Sequence, residues 1–400
     1  MKAMNAPSTT TDLAMRADES WPHFADDEIA AVVEVLRSGR VNQWTGDRVA
    51  RFEAAMAARI GSPHAVAVAN GSVGLELALL ALGIGPGHEV IVTPASFVAS
   101  ASCVAMVGAT PVFADVEPDS QNISAATVEP YITPATRAVI AVHLAGWPVD
   151  MEPLMALAKQ HRLAVIEDCA QSIGAAIGGK PAGCFGDAAV FSFCQDKIVT
   201  TGGEGGLVLF RDEDAYRRAW SFKDHGKGFE LMRHPPAAPG FRYVHESVGT
   251  NWRMTEMQAA IGLQQLGKLD AWLERRAANA AIWRDALCHC EALHMPRPGE
   301  GVAHANYKLT LFLRPEKLRL DVTRDDVLAA LLEAGVRAFS GFCPEIYREK
   351  AFAGLAVETL PTAHILGQTS LMFEVHPTLD QDALRARAAC AHAVISGFQA

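Results

Sequence analysis

The fold class this sequence predicts is a doubly wound, mainly parallel α/β sheet followed by a smaller α+β region, and three observations predict it. Short apolar runs alternate with helical periods as far as Phe210, the pattern of strands buried on both faces. With 400 residues, 50% hydrophobic and 20% charged, the chain exceeds one average domain and can bury a large core. A long helical pattern from Met254 to Ala280, with Leu263, Leu266, Leu269 and Leu273 at helical intervals, then connects to further strands and helices.

In chain order, residues 1–20 read as a polar tail, and Phe24 to Ser38 and Arg48 to Ile60 carry the helical period. Val66 to Ala69 is a short apolar strand, Asn70-Gly71-Ser72 a turn, and Val73 to Leu82 an apolar helix. Further strands follow at Glu89 to Thr93, Pro111 to Asp115, Ala138 to His143, Leu163 to Glu167, Ala188 to Phe193 and Gly206 to Phe210. Helices are expected at Phe97 to Gly108, Glu152 to His161 and Glu213 to Phe222. The irregular stretch Gly228 to Ser247, rich in Pro and Gly, reads either as a surface loop at a cleft mouth or as a plain linker. Beyond the long helix, Tyr307 to Leu313 is a strand and Arg324 to Ala334 a helix. The expected organisation is a large domain over 21–270 and a small one over 271–400.

Three segments carry chemistry. Lys197 follows the apolar run Ala188 to Phe193 and precedes Thr200-Thr201-Gly202-Gly203-Glu204-Gly205-Gly206. A lysine amine becomes a nucleophile where partial burial or a neighbouring cation lowers its pKa, and a desolvating strand beside a glycine-rich backbone supplies that setting. Taken alone, the segment reads equally well as a surface lysine after a strand. Asp168 ends the second informative run, Leu163 to Asp168. Open α/β sheets bind ligands at the carboxyl ends of their strands, so Asp168 and Lys197 are expected to face one cleft. A pyridoxal 5'-phosphate site needs that pair: the carboxylate keeps the pyridine nitrogen protonated, while the lysine holds the aldehyde carbon as an imine and later moves a proton. The third segment is Asn70-Gly71-Ser72, where the N-terminus of a helix offers N–H groups to a phosphate, Gly71 permits close approach and Ser72 adds a hydroxyl. Such a turn also serves simply to cap its helix.

With these residues the chain resembles the DegT/StrS-type sugar aminotransferases of the aspartate-aminotransferase-like superfamily. The resemblance runs from Trp21-Pro22 and Ser38 to Gly46 through Asn70-Gly71-Ser72, Thr93 to Ala99, Glu167 to Gln171, the Lys197 segment and Asp224-His225-Gly226 to Gly249 through Ala260. It implies a fold type I transferase using pyridoxal phosphate, with pyridoxamine phosphate as its amino-carrying form. It further implies that Lys197 bonds the cofactor, Asp168 pairs with the ring nitrogen, Gln171 approaches the 3-hydroxyl or phosphate and Phe97 stacks on the ring. Gly71, Ser72 and Ser192 would hold the phosphate. Asn251 would reach the phosphate of a neighbouring subunit, making a homodimer with shared sites, although Asn251 also reads as the N-cap of the helix beginning near Met254. Trp44, Glu204, His225 and Arg253 are candidate substrate contacts, and Lys223, Lys227, Arg242 and Arg337 are further cations for an anionic substrate.

Three departures from the family pattern stand out. Cys194 occupies a position where many members have His, Asn70-Gly71-Ser72 replaces a Ser-Gly-Thr cradle, and Phe339 to Tyr347 replaces an aromatic- and histidine-rich substrate loop. The first two remove no needed atom; the third leaves the acceptor open. A lysine at 197, where dehydratase members have His, favours transamination. The resemblance implies transfer of nitrogen from glutamate or glutamine to the keto group of a sugar, one carried by a nucleotide. A keto-cyclitol acceptor would use the same residues, and a non-catalytic cofactor-binding regulator is the reading from another class.

A formal charge of −10 offers no basic face to nucleic acid or membrane. The N-terminus lacks the apolar core of a secretory signal and no apolar run reaches spanning length, so a cytoplasmic protein is expected. Eight scattered cysteines without a Cys-x-x-Cys suggest neither a disulfide framework nor a metal site. In Cys288-His289-Cys290 the two sulfurs would point to different faces of a helix and no second ligand pair follows.

Overall fold

The computed structural model describes residues 20–234 and 241–400; residues 1–19 of the expected tail and 235–240 of the expected loop lie outside the described residues. Seven strands form the main sheet. From one edge their order is His64–Val68, Gly206–Phe210, Ala188–Ser192, Ala164–Asp168, Thr136–Val142, Glu89–Val92 and Thr110–Phe113. Gly206–Phe210 runs antiparallel to both its neighbours, and the remaining pairs are parallel. The mainly parallel sheet predicted from sequence is therefore present.

The strands read as continuous apolar runs because both faces are covered. Along His64–Val68, Val66 and Val68 join a core with the helices Gly71–Ala81, Ala99–Met106 and Met151–His161, whereas Ala65 and Ala67 join another beneath Arg48–Ile60. Gly206–Phe210 divides the same way, with Val208 and Phe210 in the first core and Leu207 and Leu209 in the second.

The helix Glu256–Leu287 runs from the second core into a third cluster, which it builds with the sheet of Leu293–His294, Leu309–Leu313 and Ser370–Phe373 and the helices Arg324–Glu333 and Gln381–Ser396. Its start corrects one reading of Asn251. Thr255 is the N-cap, accepting from Gln258 N–H while the Gln258 side chain accepts from Thr255 N–H at 2.8 Å. Asn251 Oδ1 instead meets Arg253 N–H at 3.5 Å. A third small sheet joins Ala176–Ile177, Lys180–Pro181 and Val302–Ala303. Among the described residues no helix is long and apolar enough to cross a membrane.

Candidate active site

Asp168 and Lys197 line one cavity of about 650 Å³ at the carboxyl ends of the parallel strands. Asp168 is the last residue of its strand and is 5% exposed. Its carboxylate accepts from Ser100 Oγ at 2.9 Å and from Ala170 N–H at 3.1 Å. The next strand, Ala188–Ser192, delivers the lysine turn. Phe193 N–H donates to Gly205 O at 2.8 Å, Thr201 N–H returns to Phe193 O at 3.0 Å, and Gln265 accepts from Thr200 N–H at 2.9 Å. Those bonds bury Ile198, Val199, Thr200 and Thr201 and leave Lys197 on the cavity side.

The expected phosphate cradle, Asn70-Gly71-Ser72, is a place of close approach. At the start of the helix Gly71–Ala81, Asn70 Oδ1 accepts from Val73 N–H at 3.0 Å, so Asn70 does cap the helix, and Gly71 and Ser72 line the cavity. Ser192 lines it from the facing strand end. A β-carbon on Gly206 would come within 2.4 Å of the Asn70 carbonyl, so glycine there lets the two segments meet.

Phe97 also lines the cavity and leaves 65% of its surface exposed, so its ring is free to stack on a flat ligand there. Gln171 is buried at the cavity wall, its Oε1 accepting from Ala145 N–H at 2.7 Å. Glu204 lines the cavity too, while its main-chain oxygen is held by Thr201 Oγ1 and Gln258 Nε2.

The remaining candidates gather elsewhere. Trp44 Nε1 donates to Asp224 Oδ2 at 2.7 Å, Lys227 and Arg253 both reach Asp224 Oδ1, and His225 follows in left-handed conformation at φ 61°. Burial works to raise the pKa of Asp224, but Lys227 and Arg253 outweigh it and hold the carboxyl below its usual range. Trp44, His225, Arg253 and Asn251 are not among the lining residues of the Lys197 cavity of their own chain. Lys223, expected as a substrate cation, is corrected outright: it is 1% exposed and donates to Gln43 Oε1 at 2.9 Å. A lysine buried in that way makes no contact with substrate.

Residue patterns gave no role to Ser96, Ser100, Asp196, Tyr307 or Phe342, all of which line the cavity. Ser96, in a β-bridge with Cys343 ahead of the helix Ala99–Met106, and Ser100, in the first turn of that helix, share a 3.1 Å hydroxyl contact behind Asp168. Phe342 arrives because its loop is stitched to the segment that follows the strand Glu89–Val92, Ser96 N–H to Cys343 O at 3.0 Å and Ile346 N–H to Pro94 O at 2.9 Å. Tyr307 donates its hydroxyl to Asp196 Oδ2 and lies under the amine of Lys197, 4.9 Å from ring centroid to Nζ.

Below Asp168, on the far side of the strand, His143, Glu167 and Cys169 bring potential ligand atoms within 4.8 Å of one another. The Glu167 oxygens already accept from His143 Nε2 and from the N–H groups of Gly183, Phe185 and Gly186. His143 Nδ1 in turn accepts from Val149 N–H. Such a carboxylate has its lone pairs committed, and the group serves as a buried support for the strand end carrying Asp168.

These residues suit pyridoxal phosphate. A carboxylate and a lysine share one cavity, an exposed ring faces it, and a helix start with a serine hydroxyl on each side provides an anion cradle. Comparison with known proteins agrees. Residues 22–389 match the model of the DegT/DnrJ/EryC1/StrS aminotransferase family. The GDP-perosamine synthase of Caulobacter vibrioides is 37% identical, covering 92% of this chain and 95% of its own. The L-glutamine:2-deoxy-scyllo-inosose aminotransferase of Streptomyces fradiae is 40% identical over 80% of this chain and 76% of its own. The crystal structure of an aminotransferase from Psychrobacter cryohalolentis superposes with a TM-score of 0.93 at 45% identity, covering 95% and 99% of the two chains.

Proposed function

Because the chain belongs to the DegT/DnrJ/EryC1/StrS aminotransferase family, whose members use pyridoxal phosphate, we propose that Lys197 and Asp168 serve that cofactor in moving an amino group onto a ketosugar. The observation that carries this reading is the shared cavity of Lys197 and Asp168, walled by the exposed Phe97 and the Gly71–Ser72 helix start.

In this reading Gly71, Ser72 and Ser192 hold the phosphate, Phe97 covers the ring and Gln171 flanks it. When bound, the cofactor supplies an aldehyde that takes up nitrogen and a protonated ring that accepts electrons. Lys197 bonds that aldehyde at rest and, once displaced by the donor, carries the proton of the donor's α-carbon on Nζ. Asp168, fixed by Ser100 and Ala170, keeps its charge aimed at the ring nitrogen so that the proton there stays in place. In the second half of the cycle Lys197 would deliver a proton to the acceptor carbon that carried the keto oxygen, that oxygen leaving as water, and the acceptor would leave with the nitrogen.

A nucleotide-linked sugar is the proposed acceptor and glutamate or glutamine the proposed donor, as the relative from Caulobacter suggests for the first and that from Streptomyces for the second. A keto-cyclitol is the second reading, favoured by the 40% identity to the inosose enzyme. Lys197 is the one cation among the described residues lining the cavity, which is too little for a phosphate and a donor carboxylate together. That shortage supports a homodimer in which Asn251, with Trp44, His225 and Arg253, serves the cavity of a second copy. A division into a large domain before residue 271 and a small one after it, and a cytoplasmic setting, belong to the same proposal. The test is optical: the purified yellow protein should bleach with glutamate or glutamine and regain its colour with the true acceptor. Colour returned by a free keto-cyclitol and by no nucleotide-linked ketosugar would select the second reading, and a protein that glutamate and glutamine both leave yellow would defeat the proposed donors.

A further inference from the structure

Two side chains from outside the main sheet hold Lys197 from opposite ends. Trp21, near the start of the described chain, donates its indole N–H to the main-chain oxygen of Lys197 at 3.0 Å. Tyr307, from the segment before the strand Leu309–Leu313, places its ring 4.9 Å from Lys197 Nζ and ties its hydroxyl to Asp196, the preceding residue. Lys197 N–H is taken by Cys194 O within the turn. The peptide on each side of the lysine and its amine are therefore all engaged.

One residue joins the two holds. Arg276, buried in the middle of the long helix, lies with its guanidinium 5.1 Å from the Trp21 ring and donates from Nη1 to Tyr307 O at 3.2 Å. Its Nε and Nη2 have no hydrogen-bond partner among the described residues. Burial pushes its pKa down to about 9, and keeping an incompletely bonded guanidinium out of water is expensive. The chain bears that cost where it fastens both rings that touch the lysine. Trp21 is further wedged edge-on against Trp272 at 5.1 Å, and Tyr307 N–H is fixed to Ala145 O, whose own N–H holds Gln171.

We propose, on the reading of Lys197 as the cofactor's lysine, that Trp21 and Tyr307 are positioning residues for it, Trp21 fixing its main chain and Tyr307 the resting place of its amine. The cation–π contact holds the amine on the cavity wall, the Asp196 carboxylate attracting it through space, and its nitrogen stays free to bond. The groups that face or reach it are Cys194 and Asp196 from its own turn, Asp168 and Glu204 across the cavity, Tyr307 and Lys308 from the C-terminal segment, and Arg276 behind them.

The test separates capture of the cofactor from its bonding. Protein stripped of cofactor is mixed rapidly with pyridoxal phosphate; quenching of tryptophan fluorescence reports capture in the cradle, and growth of the visible band reports condensation, in which the Lys197 amine adds to the aldehyde carbon, a C=N bond forms and one water leaves. Trp21→Phe, which keeps a ring but loses the N–H, should slow the second phase by roughly tenfold or more while the first keeps its wild-type rate. Tyr307→Phe, which loses only the tie to Asp196, should do the same and decides the matter if Trp21→Phe does not fold. Wild-type rates in both phases would overturn the proposal. So would equal slowing of both, since the residues would then act on the fold or the cradle and not on the lysine. A wild-type protein that develops no visible band defeats the reading of Lys197 itself, which is a different outcome.

Discussion

Gly71 meets Ser192 so closely that a β-carbon on the glycine would lie 2.7 Å from the β-carbon of the serine. Helix start and strand end close on each other there, and that closeness would let both segments reach the one phosphate proposed for the cavity. The glycine is required for its lack of bulk and not for backbone conformation, since its φ is outside the left-handed region.

Gly71→Ala should therefore cost about 1–3 kcal/mol of stability, the range for overpacking a filled site, and weaken cofactor binding. Thermal melting without cofactor and titration with pyridoxal phosphate measure the two effects. Unchanged values in both would mean the contact has slack that the geometry denies.

Phe97 leads to the opposite expectation. With 65% of the residue exposed, truncation to Ala should change the stability of the cofactor-free protein by no more than about 0.5 kcal/mol. Stacking aromatic pairs contribute about 0.5–1.5 kcal/mol beyond burial, so the same change should loosen the cofactor by roughly threefold to tenfold. A Phe97→Ala protein that melts early and binds cofactor normally would make Phe97 a packing residue.

Ser100 donates to Asp168 Oδ2 at 2.9 Å, a hydrogen bond to a charged group in a buried place. Asp168→Asn should retain cofactor yet lower the rate by on the order of a hundredfold or more, because a neutral amide does not hold the ring proton. Ser100→Ala should give a milder fall, about tenfold in kcat or about 1.4 kcal/mol, with KM for the donor little changed. Steady-state kinetics on both variants check the order; a Ser100→Ala defect confined to KM would place the serine in binding.

Glu167 makes a pH prediction. Burial works to raise its pKa, but His143 and the N–H groups of Gly186 and Gly183 outweigh that and hold it below the ordinary 4.5. A carboxyl depressed on folding adds stability that is fully present above 4.5 and is lost as pH falls through its lower folded value. Glu167→Gln should melt below the wild type at pH 7, with the gap shrinking once pH drops under 4.5. A gap that stays constant through that window would mean the charge on Glu167 contributes nothing to the fold.

What the sequence made legible follows from locality. The helices Arg48–Ile60 and Glu213–Phe222 and the strand Gly206–Phe210 have the bounds their apolar periods predict, and Lys197, Asp168, Gly71 and Ser72 declare themselves by standing at strand ends and a helix start. The strand Ser370–Phe373 and the helix Gln381–Ser396 left weaker marks, the first being four residues long and the second rich in alanine. Tyr307 and Trp21 were illegible as neighbours of Lys197 because 110 and 176 positions of chain separate them from it, and only the folded C-terminal sheet and N-terminal arm close that distance. Lys223 misled for a related reason: its period places it after a helix, but burial against Gln43 is set by a segment 180 residues away.

The most direct measurement is of the covalent bond itself. The yellow wild-type protein is reduced with borohydride, digested, and its peptides weighed. The mass of reduced cofactor should sit on the peptide containing Lys197, and Lys197→Ala should lose both that adduct and the visible band. An adduct on another lysine, or a band that survives in Lys197→Ala, would contradict the account.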